Sequence, residues 1–203
     1  MIQRRALGAL PLLVCLPAAR AGNQIEEPLA DSVRGALAAA VAQDAPPKPR
    51  FDRIEDRLAY LRWLGATSEK LKRRMAEHHT RVEFLQTLWY ECRRAGLEAT
   101  LLLGLIQVES GFRKYAISSA GARGYMQVMP FWARLIGDGD ASRLFHAQSN
   151  LRFGCVILRH YLDIERGDLF LALGRYNGSR GKAEYPNLVF GARRSWQWTD
   201  PGA

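Results

Sequence analysis

From residue 51 onward, apolar residues recur every three or four positions, which is the spacing of helices that bury one face. The first two such stretches contain Ile54, Leu58, Leu61 and Leu64, and then Val82, Leu85, Leu88 and Trp89. Gly65 and Gly96 follow these stretches and are expected to end the two helices. The pattern therefore predicts a helical centre for the chain.

A third apolar helix is predicted between Gly96 and Gly111, with Leu105 and Glu109 on the same face. Residues 118–124, which follow it, are rich in Ser, Ala and Gly. This composition is typical of a loop. A carboxylate is thus expected at the end of an apolar helix, just ahead of a loop.

Further helices are predicted beyond this loop. Their expected starts are Pro130, then Ser149 or Asn150, then Asp168, and finally Pro186. Only residues 125–128 alternate in a way that could give a small hairpin. The fold class predicted from the pattern is mainly α.

The first 21 residues differ from the rest of the chain. Arg4 and Arg5 precede an apolar run over residues 6–16, and Ala19-Arg20-Ala21 has the small-x-small form of a cleavage site. The run is shorter than the roughly 20 residues that a membrane span needs. We interpret residues 1–21 as a secretory signal peptide and expect an exported, periplasmic protein.

Residues 22–50 are rich in alanine and contain Pro46-Pro47-Lys48-Pro49. They are predicted to form a flexible tether, with at most a weak helix in the apolar patch over residues 33–41. The predicted organisation is therefore a signal peptide (1–21), a tether (22–50), a helical extension (51–80) and a main domain (81–203).

Charge narrows the choice of partners. The formal net charge is +9, and loss of the leader would remove only three arginines. A basic exported protein is attracted to an anionic polymer or membrane surface, although the charge could equally serve solubility. Basic residues within 51–80 could contact such a polymer or form a solvated helical face. Nucleic acid is not expected, because the sequence has no zinc-finger spacing or RNA-binding aromatic motif.

Two cysteines, Cys92 and Cys155, remain after the leader. Each lies on an apolar helical stripe, so they are either two buried free thiols or, in an oxidising compartment, a disulfide. No His-Glu-x-x-His or clustered Cys/His spacing is present, so neither a metal nor a cofactor is expected.

Glu109 is the strongest candidate for chemistry. Its position beside Leu102 and Leu105 predicts a desolvated carboxyl, and its place in the last turn adds the unfavourable end of the helix dipole. Both effects raise a carboxyl pKa, and desolvation should dominate. A carboxylic acid that stays protonated near neutral pH can protonate a glycosidic oxygen. The alternative is a surface glutamate at a frayed helix end.

The residues after Glu109 favour the chemical interpretation. Between residues 109 and 130 the chain has Glu-Ser, Phe, Ala-x-Ser, Gly-Ala-x-Gly and Met-Gln-x-Met-Pro in order. This run closely resembles the soluble lytic transglycosylase family. Two positions depart from the family pattern: Lys114 stands where proline is usual, and Tyr125 where leucine is usual. The resemblance extends over roughly residues 85–198, where Tyr176-Asn177-Gly178 is similar to the family's Tyr-Asn motif.

The resemblance implies a small, lysozyme-like helical domain with a sugar-binding groove. It implies that Glu109 is the general acid and then the general base, that Ser118, Gln127 and Met129 line the cleft, and that Tyr176 supports Glu109 by a hydrogen bond. Other roles are open from the residues alone. Ser118 could stabilise a turn, Met129 and Tyr176 could pack in the core, and Asn177 could cap a helix end.

Most glycosidases use two carboxylates, and no convincing partner for Glu109 stands out. Asp138 and Asp140 fit a turn, while Asp163, Glu165 and Asp168 surround a helix-to-helix turn. The family resemblance implies a one-acid reaction, in which the N-acetylmuramic acid–N-acetylglucosamine bond of peptidoglycan is cut and a 1,6-anhydro end forms. The alternatives are a hydrolase of the same fold and a non-catalytic wall or secretion-apparatus component. A monomer is expected.

Overall fold

The computed structural model describes residues 24–42 and 49–200, and the regular elements in these ranges are helices. The α-helices are α1 (Asp31–Val41), α2 (Ile54–Leu71), α3 (His78–Ala95), α4 (Ala99–Glu109), α5 (Pro130–Ile136), α6 (Ala147–Ile164), α7 (Leu169–Asn177) and α8 (Glu184–Ser195), and a 3₁₀ helix spans Ala141–Phe145. The predicted mainly α class is confirmed. The predicted signal peptide lies outside the described residues.

Several helix ends follow their sequence signals. Gly96 ends α3 in the left-handed conformation with φ 63°, which glycine adopts without a steric penalty. Pro130 is the first residue of α5. The Asp168 carboxylate caps α7 by accepting a hydrogen bond from the Leu171 backbone N–H at 3.0 Å.

Three predicted helix ends are wrong. Helix α8 begins at Glu184, two residues before the expected start at Pro186. Helix α2 passes through Gly65 without ending, because Leu64, Ser68 and Leu71 on either side of it are buried against the core. Helix α6 begins at Ala147, so neither Ser149 nor Asn150 caps it. Tertiary packing outweighs the local preference of glycine in α2, and the Asn150 side chain is needed elsewhere, as described below.

The core forms around α4 and α6. Helix α4 lies along α8, and α6 contacts both α3 and α7. A Cβ atom added to Gly104 of α4 would lie 2.7 Å from the backbone nitrogen of Arg193 in α8. Glycine at this position therefore allows the two helix backbones to approach closely, which brings the start of α8 to the end of α4.

A buried ion cluster joins α3 to α6. The Glu91 carboxylate is fully buried and accepts hydrogen bonds from Arg152 at 3.0 Å and from Arg94 at 3.0 Å. Arg94 also donates to the Ala40 carbonyl of α1 at 2.7 Å. Buried charges are tolerated when they are paired and hydrogen-bonded, so this carboxylate serves the packing of three helices.

Helix α2 is part of the same core. Its Tyr60, Trp63 and Leu71 are buried in one hydrophobic cluster with residues of α3, α4 and α6. Two of its basic residues bind the C-terminal segment: Arg62 forms a bidentate pair with Asp200 at 2.7 Å, and Lys70 donates to the Gln197 carbonyl at 2.8 Å. Arg62 and Lys70 thus bind structural partners, and they are not part of a fully solvated helical face.

The predicted tether is partly ordered, and over Asp31–Val41 the structure differs from a flexible linker. Helix α1 packs on α5 and α6, because its apolar patch, which includes Leu37 and Val41, contacts the core. Ahead of it, Gln24 accepts from Trp132 Nε1 at 2.8 Å and donates to the Tyr176 carbonyl. Gln24 and α1 therefore pack against the domain and stabilise it.

Cys92 and Cys155 are both free and buried in the structure. Burial raises the pKa of the Cys155 thiol well above its usual value, and a hydrogen bond with Cys92 raises it further. This is the first of the two arrangements that the sequence allowed. Across the described ranges, the helices are too short or too polar to cross a membrane.

Candidate active site

Glu109 is the last residue of α4, and its side chain is only 7% exposed. Oε1 accepts a hydrogen bond from the Tyr185 hydroxyl of α8. Oε2 is buried and has no hydrogen-bond partner among the described residues. The carboxyl group is thus held at one oxygen by a neutral donor and left unsatisfied at the other.

Burial raises the pKa of Glu109 to about 8, and the hydrogen bond from Tyr185 partly offsets this rise. Desolvation disfavours the charged form of a carboxyl, whereas a donor favours it. The predicted direction and its main cause, desolvation, are both confirmed. At neutral pH Glu109 is therefore mostly protonated and can donate a proton.

The backbone turns sharply after Glu109. Gly111 and Phe112 are both left-handed, with φ of 59° and 68°, and this conformation is uncommon for a bulky residue. The Phe112 ring is buried against Phe84 and Trp196, at centroid distances of 6.1 and 5.3 Å. Aromatic packing holds this turn, so the direction in which the chain leaves Glu109 is fixed.

The following loop folds back on itself through two isolated β-bridges. Arg123 pairs with Ile117 and with Val128. The small hairpin expected near residues 125–128 is therefore reduced to isolated bridge pairs that do not extend into strands. Ser118 Oγ accepts from the Ala122 backbone N–H at 3.0 Å. Ser118 thus stabilises a turn, which was the alternative role considered for it.

Gln127 lies at the base of this loop in the left-handed region, with φ 50°, and is 3% exposed. Its Nε2 donates to the carbonyls of Gly124 at 2.9 Å and Ala116 at 3.1 Å. A non-glycine residue in this conformation is often found at functional sites, where the surroundings compensate for the strain. Here the Gln127 side chain holds the loop closed through these two hydrogen bonds.

Asn150 fastens the loop to α6. It accepts from the Met126 N–H at 2.7 Å and donates to the carbonyls of Arg123 and Leu144, each at 2.8 Å. A Cβ atom added to Gly124 would lie 2.4 Å from Asn150 Nδ2, so only glycine fits against this amide. The side chain that sequence analysis treated as a helix cap is the anchor of the loop.

The hydrogen bond expected between Tyr176 and Glu109 is not formed. The Tyr176 hydroxyl donates its single proton to the Met126 carbonyl at 2.8 Å. The residue that bonds Glu109 is instead Tyr185 of α8, which the sequence patterns do not connect with Glu109. No spacing rule links two residues that far apart in sequence, and the signal that could have found the pair is the tight packing of α4 on α8.

Met129 precedes α5 and is half-buried, and Asn177 ends α7 with its Oδ1 buried and unpartnered among the described residues. Of the aromatic residues in and around the loop, Tyr125, Trp132 and Tyr185 are buried, whereas Tyr115 is 71% exposed. Lys114 Nζ lies over the Tyr115 ring, 5.3 Å from its centroid.

The five acids considered from the sequence as partners for Glu109 have structural roles. Asp138 pairs with Arg143, Asp163 with Arg159 and Glu165 with Arg175 and Arg180, while Asp140 and Asp168 cap helices. Hydrogen bonds from its arginines lower the pKa of Glu165 to about 2. Over residues 24–42 and 49–200, no cluster of three or more His, Cys, Asp or Glu side chains could hold a metal ion.

The comparison with protein families decides the membership of the chain. Residues 90–197, more than half of the sequence, match the model of the transglycosylase SLT domain. The chain belongs to this family. The matched region contains Glu109, the loop, Tyr176 and Tyr185, so it includes these site residues, the last third of α3 and the whole of α4 to α8.

Three curated relatives are similar to this SLT domain. They are the membrane-bound lytic murein transglycosylases C of Mannheimia succiniciproducens, 39% identical over 34% of this chain and 20% of the relative, and of Actinobacillus pleuropneumoniae, 33% identical over 46% and 29%. The third is a transglycosylase of Enterobacteria phage PRD1, 30% identical over 51% of this chain and 38% of the relative. The chain spans less than half the length of each.

Among solved structures, an inactive mutant of lytic transglycosylase Slt from Pseudomonas aeruginosa is similar to this SLT domain. The match covers 70% of this chain and 27% of that one, with 22% identity and a TM-score of 0.45.

Proposed function

We propose that this chain is a peptidoglycan lytic transglycosylase that cuts the bond between N-acetylmuramic acid and N-acetylglucosamine. The observation that carries the proposal is the buried carboxyl of Glu109 within a matched SLT domain, with a raised pKa and no ion-pair partner in the part of the chain that the structure describes. The names of the relatives, lytic murein transglycosylase and transglycosylase, agree with this activity.

In the proposed reaction Glu109 first acts as the acid. Oε1 is held by Tyr185, so the proton on Oε2 is the one available to the glycosidic oxygen. Because Oε2 has no partner among the described residues, a bound substrate that accepts this proton would satisfy it. The acetamido oxygen of the sugar stabilises the cationic centre that remains when the bond breaks.

Glu109 then acts as the base. Its carboxylate takes the proton of the muramoyl C6 hydroxyl, whose oxygen attacks C1, and a 1,6-anhydro end forms without consumption of water. The donor from Tyr185 stabilises the charged form during this half of the reaction. The loop residues Ser118, Gln127 and Met129 are proposed to line the cleft, and Tyr176 to hold the Met126 backbone beside it.

A hydrolase of the same fold is the second candidate, and it would need an acid that activates water. The acids that could have assisted Glu109 are used elsewhere: Asp138, Asp163 and Glu165 are ion-paired, and Asp140 and Asp168 cap helices. This favours the one-acid reaction. Mass analysis of a peptidoglycan digest decides between the two. The expected products are lighter by one water molecule than the reducing ends of a hydrolase, and reducing ends alone would contradict the proposal.

A non-catalytic wall or secretion component is the third candidate. Glu109→Gln keeps the shape of the side chain but lacks a titratable proton, so wall-clearing activity should fall by about a thousandfold or more. Glu69→Gln, an exposed glutamate of α2, is the matched control and should retain full activity. Absence of clearing by the wild type, with no change in Glu109→Gln, would favour the non-catalytic component.

The proposed setting is the cell envelope. The predicted leader and the basic composition support export to a compartment that contains peptidoglycan. A monomer is proposed, together with a secretion-apparatus or wall partner for its basic surface. Fractionation of cells that express the full chain should place it in the periplasmic or envelope fraction, and recovery in the cytoplasm alone would contradict this.

A further inference from the structure

A groove lined by aromatic side chains lies where α2, α3 and the C-terminal segment meet. Its volume is about 490 Å³, and we call it the aromatic groove. Its aromatic lining consists of Phe51, Tyr60, Trp63, Trp89 and Trp198. The volume is that of a small-ligand site, and three of the five tryptophans of the chain are gathered there.

The aromatic groove is separate from the site around Glu109. Neither Glu109 nor any residue of the loop that follows it lines the groove. Nine of the ten lining residues lie outside residues 90–197, and Arg93 is the exception. The groove is therefore formed mainly by the helical extension ahead of the SLT domain, and the match to that family does not account for it.

The aromatic rings of the groove form a connected wall. The Tyr60 ring lies 4.7 Å from Trp89, 5.2 Å from Phe51 and 6.1 Å from Trp63, measured between centroids. Phe51, Trp89 and Trp198 are only partly buried, so part of their surface is open to a ligand.

Tyr60 itself adds a polar group to this wall. Its hydroxyl is buried without a hydrogen-bond partner among the described residues, and burial raises its pKa more than the nearby Gln86 side chain lowers it. Buried polar atoms usually have partners. The wall thus combines apolar ring surface with a hydrogen-bonding group that the protein does not use.

Four charged residues complete the polar part of the groove, and their charges balance. Arg50 and Arg93 line it together with Asp52 and Asp56. Across residues 24–42 and 49–200, the side chains of Arg50, Asp52 and Asp56 form no ion pair or hydrogen bond. The acids considered as partners for Glu109 have structural roles, whereas these two carboxylates are available to a ligand.

This balance argues against a charged ligand. Two carboxylates oppose an anion, and an external cation would compete with Arg93, whose guanidinium already lies over the Trp89 ring, 4.9 Å from its centroid. A neutral ligand with many hydroxyl groups meets neither difficulty. Carboxylates accept hydrogen bonds from hydroxyls and guanidinium groups donate to them, while the C–H faces of a pyranose ring pack on aromatic rings.

We propose that the aromatic groove binds a neutral saccharide, as a second contact with the glycan strand apart from the bond that Glu109 cuts. The sugar chemistry follows from the lining, while the glycan as its source rests on the proposed function. A strand held in the groove would stay on the protein between two cuts. The groove also gives a role to the α2 region, which lies ahead of the SLT domain.

The direct test is titration of the full chain with the neutral N-acetylglucosamine tetramer, followed by NMR at the tryptophan indole N–H signals. Saturable shifts are expected for Trp63, Trp89 and Trp198, which line the groove. These signals report binding in the groove even where the tetramer also occupies the cleft at Glu109.

Trp198→Ala removes one ring and should weaken binding in the groove at least tenfold, as read from the other two indole signals. The C-terminal segment should stay in place, because Asp200 pairs with Arg62 and the Gln197 carbonyl accepts from Lys70. Thr199→Ala, a truncation at the exposed neighbouring residue that does not line the groove, should stay within twofold of wild type.

The polar part of the groove is tested by the double variant Asp52→Asn/Asp56→Asn, which keeps the side-chain shapes and removes both charges. Binding should weaken at least fivefold, because the carboxylates accept hydrogen bonds from the sugar hydroxyls more strongly than amides do. Glu55→Gln, an exposed acid of α2 that does not line the groove, is the matched control and should bind like wild type.

Unmoved signals of Trp63, Trp89 and Trp198, or equal affinity in Trp198→Ala and wild type, would overturn the proposal. Choline that shifts these signals at lower concentration than the tetramer would overturn it too, since the groove would then be a cation site. The peptidoglycan digest tests the proposed function separately. Tetramer binding without any glycan cleavage would refute that function and leave the groove as a saccharide site, and cleavage without binding in the groove would do the reverse.

Discussion

Three glutamates are buried among the described residues, and two of them, Glu91 and Glu109, have completely different surroundings. Glu91 of α3 is bound by Arg94 and Arg152, and it ties helices together. Glu109 of α4 is bound only by the neutral hydroxyl of Tyr185, and its second oxygen has no partner among the described residues. Burial alone therefore does not mark a functional carboxyl. The absence of a neighbouring cation is what leaves Glu109 able to hold and release a proton.

The largest expected effect is the loss of the Glu91 charge. Glu91→Ala leaves the buried Arg152 guanidinium without its carboxylate, and removal of one partner from a buried pair costs about 3–5 kcal/mol. Chemical denaturation should reveal this loss in the free energy of unfolding. A change below about 1 kcal/mol would mean that Glu91 is not the structural counterpart of Glu109.

The next effect is a gain in stability from Glu109→Gln. The folded pKa of about 8 lies above the ordinary value of 4.5, so the folded state binds the proton more tightly. Stability from this group is complete below pH 4.5, falls as pH rises, and reaches its lowest level above pH 8. At pH 7 the variant should gain up to about 3 kcal/mol.

This gain should vanish near pH 4, where Glu109 is protonated in both the folded and the unfolded states. Denaturation of the two proteins at pH 4 and pH 7 measures the difference. A stability difference that does not depend on pH would contradict a raised pKa for Glu109.

Tyr185→Phe should have a smaller effect that acts through Glu109. Loss of the hydroxyl removes the donor that favours the carboxylate, so the Glu109 pKa should rise further. Activity is expected to fall about tenfold, since the base step loses its stabilising donor. The alkaline limb of the pH–activity profile, which the Glu109 pKa places near pH 8, should move to higher pH. An unmoved limb would reduce Tyr185 to a packing role.

Tyr176→Phe is the matched comparison and should give the smallest change. Its hydroxyl bonds the Met126 carbonyl rather than Glu109, so the pH limb should stay where it is. The lost hydrogen bond should cost about 1 kcal/mol or more of stability, because the Met126 carbonyl stays buried. A shift of the limb in this variant, but not in Tyr185→Phe, would restore the role that the sequence suggested for Tyr176.

Much of the fold follows from local patterns, and the errors have a common cause. Pro130 and Asp168 act at helix starts as expected, because their effects are confined to one turn. The predictions for Gly65 and Asn150 are wrong, because the packing of α2 keeps Gly65 inside the helix and hydrogen bonds with the loop backbone fix the Asn150 side chain. Periodicity describes one helix at a time, whereas these residues respond to contacts between elements.

The site residues likewise fall into two groups: those that local sequence predicts and those that depend on contacts between helices. Glu109 could be found from its own helix, since its face and its position at the helix end are both local properties. Its partner Tyr185 could not, because their contact depends on how α8 lies against α4. Gln127 and Ser118 were found by their motif, but their use in closing the loop required the backbone geometry.

The close approach at Gly104 bears on how the acidity of Glu109 could be changed. The missing side chain sets the spacing of α4 and α8, and Glu109 and Tyr185 are carried by those two helices. A methyl group added at residue 104 would push α4 and α8 apart and lengthen the hydrogen bond from Tyr185 to Glu109. The acidity of Glu109 can thus be adjusted from five residues away, through a change in helix spacing that substitutes no ionisable group.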